Sequence, residues 1–161
     1  MRSTFFVTLA SLALGLSATA YAAGGGGGGA DSTPAKAVDA NFTRAKAMIQ
    51  AKDYAGSLPL LQQVVAKDPK NADAYNLMGY ATRKSGDPNG SLQYYNQALS
   101  IDPKHLGAHE YVGEAYLMLD RPKEADQHLA RLDSLCVFGC AEYKMLKAAI
   151  ADYKTGKKPT N

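Results

Sequence analysis

The chain has no tryptophan, two cysteines and three histidines. So few ligating and nucleophilic side chains leave little for a multi-histidine metal centre or a cysteine-rich scaffold. No His-Glu-x-x-His pair, no cysteine–histidine zinc spacing and no supported Ser-His-Asp set occurs. The expectation is a non-enzymatic chain without cofactor or bound metal. Charge of one sign is scarce too. The formal net charge is +3, and the first 22 residues carry only Arg2, so their removal leaves +2. A balance that small argues against a dedicated nucleic-acid binder. No apolar run is long enough to span a bilayer as a mature helix. What the 161 residues do have is 46% apolar side chains, enough to pack one ordinary domain.

The N-terminus reads as an address. Arg2 precedes an apolar run from Phe5 to Leu16, which leads to Ala20-Tyr21-Ala22, small residues at an A-x-A spacing. That is the layout of a secretory signal peptide over residues 1–22, with cleavage after Ala22 or Ala23. A retained membrane anchor is the alternative, but the run is short and Thr8 and Ser11 interrupt it. The expectation is an exported chain, periplasmic or secreted, with no stable membrane insertion after cleavage. Its cysteines then meet an oxidising compartment. Residues 23–37 include the unbroken run Gly24 to Gly29, whose backbone entropy favours a flexible linker. A phosphate-binding loop would need a preceding strand and a following Gly-Lys-Ser/Thr, and has neither.

Beyond the linker the sequence repeats itself. Asp-Pro-Lys occurs at Pro69 and at Pro103, 34 residues apart, and the same offset links Gly79 to Gly113. It also links Ser57, Ser91 and Ala125, and Leu61, Tyr95 and Leu129. Small and bulky residues recurring in phase at that period signify stacked helix hairpins. Glycine inside a helix costs about 1 kcal/mol against alanine. Gly79 and Gly113 are therefore read as crossing points where the second helix of a hairpin leaves no room for a side chain. Asp87-Pro88 starts a helix, since Asp caps free amides and proline suits the first turn. Asp120 with Pro122 is expected to do the same one repeat later, and Gly86 to end the helix before the turn. Seven helices are predicted: Val38–Ala51, Tyr54–Lys67, Ala72–Ser85, Pro88–Ile101, Leu106–Leu119, Pro122–Ser134 and Ala141–Tyr153. Pro59 lies in the second, near enough to its start to bend it without breaking it.

The middle unit, Tyr75-x2-Met78-Gly79-x2-Thr82 with Ser91-x3-Tyr95 and Pro103, resembles the tetratricopeptide repeat. The third, His109-x2-Val112-Gly113-x2-Tyr116 with Ala125-x3-Leu129, is similar, and the first keeps the phase through Ser57, Leu61 and Pro69. The resemblance implies an all-α fold, a right-handed α-solenoid of stacked antiparallel hairpins. The repeats span 38–71, 72–105 and 106–139, followed by a capping helix over 140–155 and a basic, disordered tail over 156–161. Thr82 departs from the usual aromatic, and Val137 stands where the other units have proline.

The resemblance further implies a scaffold that binds an unidentified protein or peptide in its concave groove. First-helix side chains facing away from their hairpin partner are the candidates: Phe42, Lys46 and Ile49, then Asn76, Tyr80 and Arg83, then Glu110, Glu114 and Leu117. The subclass that clamps C-terminal carboxylates is not indicated, because Phe42, Leu77, Gly107 and Tyr111 stand where most of its polar residues fall. Exposed groove positions should tolerate substitution, so Tyr80 and Arg83 are expected to be dispensable for stability.

Other pairs carry sharper readings that are not adopted. His105 and His109 have helical spacing for a metal pair, but His109 falls in the inward slot of Tyr75, and His105 in a turn. Glu110 and Glu114 stand one helical turn apart, as acid–base carboxylates can; an exposed acidic ridge is preferred. Cys136 and Cys140 enclose Val-Phe-Gly, which is not a C-x-x-C redox spacing. A structural disulfide is expected, with helix ends on either side of the pair; a small redox or metal-handling protein using these thiols is the alternative. The last helix carries Met145, Leu146, Ala149 and Ile150 on one side and caps the array, with a basic patch for anionic surfaces as the sharper reading.

The export signal makes the first prediction. The mature chain should begin at Ala23 or Gly24, and intact-mass measurement on native material checks it; a mass that includes residues 1–22 would remove the export argument.

Overall fold

The computed structural model describes residues 39–160. The expected signal peptide, the glycine linker, the start of the first helix at Val38 and the final Asn161 lie outside the described residues. Among the described residues there are seven helices and no strand. They are α1 (Ala40–Gln50), α2 (Tyr54–Lys67), α3 (Ala72–Lys84), α4 (Pro88–Ile101), α5 (Leu106–Met118), α6 (Pro122–Leu135) and α7 (Ala141–Lys154). The boundaries fall within a residue or two of those expected from the repeat, and α2 continues through Pro59.

Caps set the starts. Asp53, Asn71 and Asp87 each accept the backbone N–H three residues on, at 3.0, 2.9 and 2.7 Å. Such caps satisfy amides that the first turn leaves free, and each is worth about 1 kcal/mol. His105 plays the same part for α5, its Nδ1 accepting from Ala108 N–H at 3.1 Å. Asp120 does not cap α6 as expected. It stands one residue too early: Arg121 is the residue before α6 and makes no side-chain cap.

What recurs most faithfully is the turn inside each hairpin. Lys52, Gly86 and Asp120, spaced by the repeat, all take left-handed backbone angles, with φ of 62°, 99° and 58°. Their N–H groups donate to Ile49, Arg83 and Leu117 carbonyls, and the next N–H in each case donates to Met48, Thr82 or Tyr116. These paired bonds form a Schellman end, which satisfies the last carbonyls and reverses the chain in a fixed direction. The turn between hairpins also repeats. The N–H of Asn71, His105 and Gly139 donates to the carbonyl of Asp68, Asp102 and Cys136, each at 3.1 Å. Val137 therefore replaces proline without loss of the turn.

The stack follows from these two turns. Within each hairpin α1 packs on α2, α3 on α4 and α5 on α6, while α1, α3, α5 and α7 touch in sequence. One row of first helices results, with α7 as its last member. The core runs through the stack in three clusters. Ala45, Leu61, Val64, Ala74 and Met78 join the first two hairpins. Tyr95, Val112 and Ala115 join the second to the third. Leu117, Ala125, Leu132, Leu146 and Ile150 seat α7 on the third. Leu146 is fully buried, which contributes about 2 kcal/mol of the cap's hold.

The two helix glycines differ in what they accommodate. A Cβ on Gly79 would lie 2.5 Å from the buried Tyr95 ring of α4, as the crossing argument requires. A Cβ on Gly113 would instead meet Leu146 at 2.6 Å. The second close approach is made by the capping helix and not by the partner in the hairpin. The smaller Leu129 stands where Tyr95 stands one unit earlier, so α6 does not fill the space.

Cys136 and Cys140 are joined, with 5.5 Å between their α-carbons. As expected, α6 stops before the pair and α7 starts after it; Gly139, at φ 74°, completes the loop.

The left-handed turn yields a stability prediction. Only glycine adopts φ > 0 without steric cost, and other L-residues lose roughly 1–2 kcal/mol there. Lys52→Gly should therefore stabilise the protein by about 0.5–1 kcal/mol, after glycine's extra unfolded-state entropy is subtracted. Gly86→Ala should destabilise by about 1 kcal/mol. Urea melts of the two variants read both signs.

Candidate functional site

The first helices form the surface on which the candidate residues were expected, and they divide into exposed and buried sets. On α1, Lys46 is exposed and its ammonium lies 5.8 Å from the centre of the half-buried Phe42 ring. Ile49 packs against the first core cluster. Phe42, Thr43, Lys46, Ala47 and Gln50 border a shallow cavity of about 360 Å³.

On α3 and α5 the residues form one connected group. Arg83 is 2% exposed, and its Nη2 meets the Glu114 carboxylate at 2.7 Å. Its Nε donates to the Tyr95 hydroxyl at 3.4 Å, and its Cζ lies 5.5 and 5.7 Å from the centres of the Tyr80 and Tyr111 rings. Tyr80 in turn packs 4.9 Å from Tyr111 and edge-on to Tyr54 at 6.0 Å. A guanidinium can stack on aromatic faces while its fork binds a carboxylate, and a desolvated pair of this kind is rigid. Burial and the neighbouring acids push the Tyr111 hydroxyl up to about 12, so it stays a neutral donor.

Several expectations are corrected here. Leu117 is fully buried within the last core cluster and is closed to a groove ligand. Arg83 is not a tolerant surface position: it spans α3, α4 and α5, and removing it would strand Glu114 and open the aromatic cluster. Glu110 and Glu114 do not form an exposed ridge. Glu110 is 3% exposed, and burial together with Glu114 and Glu142 raises its carboxyl to about 8. Asn76 is buried as well, with no hydrogen-bond partner for Oδ1 among the described residues. Near the chain end, residues 157–160 are not a free tail. Lys158 Nζ meets Asp120 at 2.6 Å, and the Thr160 carbonyl accepts from Lys84 Nζ at 3.1 Å.

The histidines are structural. His105 caps α5 and reaches Asp73 through Nε2 at 3.1 Å. His109 packs inward, its Nε2 donating to the Pro103 carbonyl at 3.1 Å and its Nδ1 shared with Nδ1 of His128 at 2.9 Å. Burial and the facing imidazole hold His128 at about 4, and burial lowers His109 too, so both are neutral near neutrality. Among the described residues no group of three or more histidine, cysteine or acidic side chains is placed to hold a metal. Their helices include none long and apolar enough to cross a membrane.

Lys84, Tyr95, Tyr111 and Asp120 were absent from the expected set. Tyr111 had a sequence signal, since it stands in phase with Leu77 and converts an aliphatic position to an aromatic one. Lys84 had none.

A row of parallel helices presenting ordered polar and aromatic groups defines a helical-repeat interaction surface. Two family models, both tetratricopeptide repeat, match residues 42–105 and 83–150. The chain belongs to the tetratricopeptide-repeat family, whose members are in general non-catalytic scaffolds for protein–protein interaction. Among solved structures, MamA residues 41 to the end, from Desulfovibrio magneticus RS-1, is 26% identical with a TM-score of 0.57, covering 59% of this chain and 54% of that one. A MamA RS-1 ArsTM double mutant is also 26% identical at 0.57, covering 59% and 53%. A chain of the CopN–Scc3 complex shares the fold at 21% identity and 0.56, covering 70% and 65%. The chain spans a little over half the length of the MamA chains it matches. No curated protein matches it.

The raised Glu110 carboxyl predicts a pH dependence. Its folded value of about 8 lies above the ordinary glutamate value of 4.5, so the native state binds the extra proton between them. The stability it contributes is full below about 4.5 and is lost as pH rises towards 8. Glu110→Gln should flatten that decline and raise the melting temperature at pH 8 while changing it little at pH 5. Thermal melts across the range check it; a parallel decline in the variant would assign the effect elsewhere.

Proposed function

We propose that the protein is a non-enzymatic adaptor of the cell envelope, which binds a peptide or protein along the concave row of α1, α3, α5 and α7. The observation that carries this reading is the Tyr80–Arg83–Glu114–Tyr111 cluster. It holds a charged pair and aromatic faces rigid across two repeats, so a ligand loses little entropy from ordering them. Lys46 and Phe42 extend the row towards the chain start, and Lys84 towards its far edge. Ligand binding spread over several repeats suits an extended segment better than a compact small molecule. Export, from the signal-like N-terminus, supplies the compartment; an oxidising one also suits the Cys136–Cys140 bridge.

The test is retention of a partner from envelope extract on the immobilised mature protein. Lys46→Ala combined with Tyr80→Ala should reduce retention at least about tenfold, equivalent to roughly 1.4 kcal/mol. The opposite-face control Gln97→Ala should leave it unchanged. Equal retention by all three would take the groove out of the account.

A further inference from the structure

Beyond α7 the chain does not leave the domain. Gly156, at φ 87°, ends the helix, and Lys157 N–H donates back to the Asp152 carbonyl at 3.0 Å. The next residues run away from α7 and across the row of first helices. Lys158 Nζ reaches Asp120, at the end of α5, at 2.6 Å. That carboxylate is held by the Tyr153 hydroxyl at 3.1 Å, and the two contacts lower its pKa. Thr160 then presents its carbonyl to Lys84, at the end of α3, at 3.1 Å. Between this segment and the helices lies a cavity of about 410 Å³, bordered by Lys84, Glu114, Met145, Ala149 and Asp152.

We propose that residues 157–160 are a resident, displaceable occupant of a peptide site at this edge of the groove, and that the site takes an extended segment carrying lysine. The seated segment specifies the chemistry. Asp120 receives an ammonium, Lys84 receives a backbone carbonyl, and the floor between them is apolar at Met145 and Ala149. Glu114 is already paired with Arg83, so Asp120 and Asp152 are the carboxylates that outweigh Lys84 at the site and favour a cationic peptide over an acidic one. Proline at 159 keeps the segment extended, which suits a path from Asp120 to Lys84. The contacts are few and exposed, so they are weak singly and hold because the segment is tethered. A partner with the same two features competes for them directly. This deepens the groove reading and rests on it, but adds a specific location, a ligand class and an internal competitor.

The experiment uses isotope-labelled mature protein and the synthetic peptide Lys-Lys-Pro-Thr-Asn. In the full chain, backbone relaxation should show residues 158 and 160 ordered like α7. In Asp120→Asn they should move like a free end; asparagine tolerates the left-handed angle at 120, so the fold is kept. A chain ending at Gly156 should bind the added peptide, with shifts at Lys84, Glu114 and Ala149. The full chain should bind it at least about tenfold more weakly, since the tethered copy competes at millimolar effective concentration. A mobile 158–160 segment in the full chain, equal peptide binding by both chains, or no shift in the shortened chain would each overturn the proposal. Partner retention through Lys46 and Tyr80 is read separately, so the broader groove reading can survive the loss of this one, or fail without it.

Discussion

The fold depends on one constraint: each hairpin must reverse direction in three residues so that its second helix lies on its first at a set angle. The left-handed residue in that turn, at 52, 86 and 120, meets the constraint by directing the two N–H groups back onto the helix that has just ended. Because the same geometry recurs at the same interval, each first helix lands beside the one before it. The row of α1, α3, α5 and α7 is therefore a consequence of turn geometry before it is a consequence of side-chain choice. Glycine supplies the angle freely only at 86. At 120 an aspartate bears it, and that same aspartate is turned outward to hold Tyr153 and Lys158.

Stacking then decides which side chains are available for binding. A hairpin in such an array buries its apolar faces only against its neighbours, so the last needs a cover. The cap arrives as Leu146 settling over Gly113, with the Cys136–Cys140 bridge closing the turn that leads to it. Within the row, close contact between α3 and α5 draws Arg83, Glu110 and Asn76 out of solvent. The Arg83–Glu114 pair is consequently both a structural tie and part of the surface a ligand would meet. Its aromatic neighbours shield it without sealing it, since Glu114 remains partly exposed.

Helix positions, and their number among the described residues, were legible in the sequence, because they rest on local signals. Proline, capping aspartates and glycines act within a turn of themselves, and a strict interval multiplies each signal. Gly86 announced its left-handed turn; Lys52 and Asp120 did not, because their residue types carry no such requirement and the angle is imposed by the repeat. The bridge was legible for a similar reason, as two cysteines flanking a helix junction. The groove was less so. Repeat phase gave the face on which Arg83, Glu110 and Leu117 begin, but not the depth, which depends on how closely neighbouring units approach. Asp120 was misplaced by a single residue, although the 34-residue interval aligns it with Gly86 and aligns Arg121 with the capping Asp87. The path of residues 157–160 depends on contacts with Lys84 and Asp120, distant in sequence, and no local pattern encodes them.

The claim that the concave row receives a protein partner is tested most directly by photo-crosslinking in intact cells. A photoreactive residue is placed singly at Lys46, Tyr80 or Lys84 on the row, and at Gln63, Gln97 or Arg131 on second helices. Crosslinks to one common envelope protein from the row positions, with none from the second helices, are the predicted result. Crosslinks confined to the second-helix positions would contradict it and place the interaction surface on the opposite side of the stack.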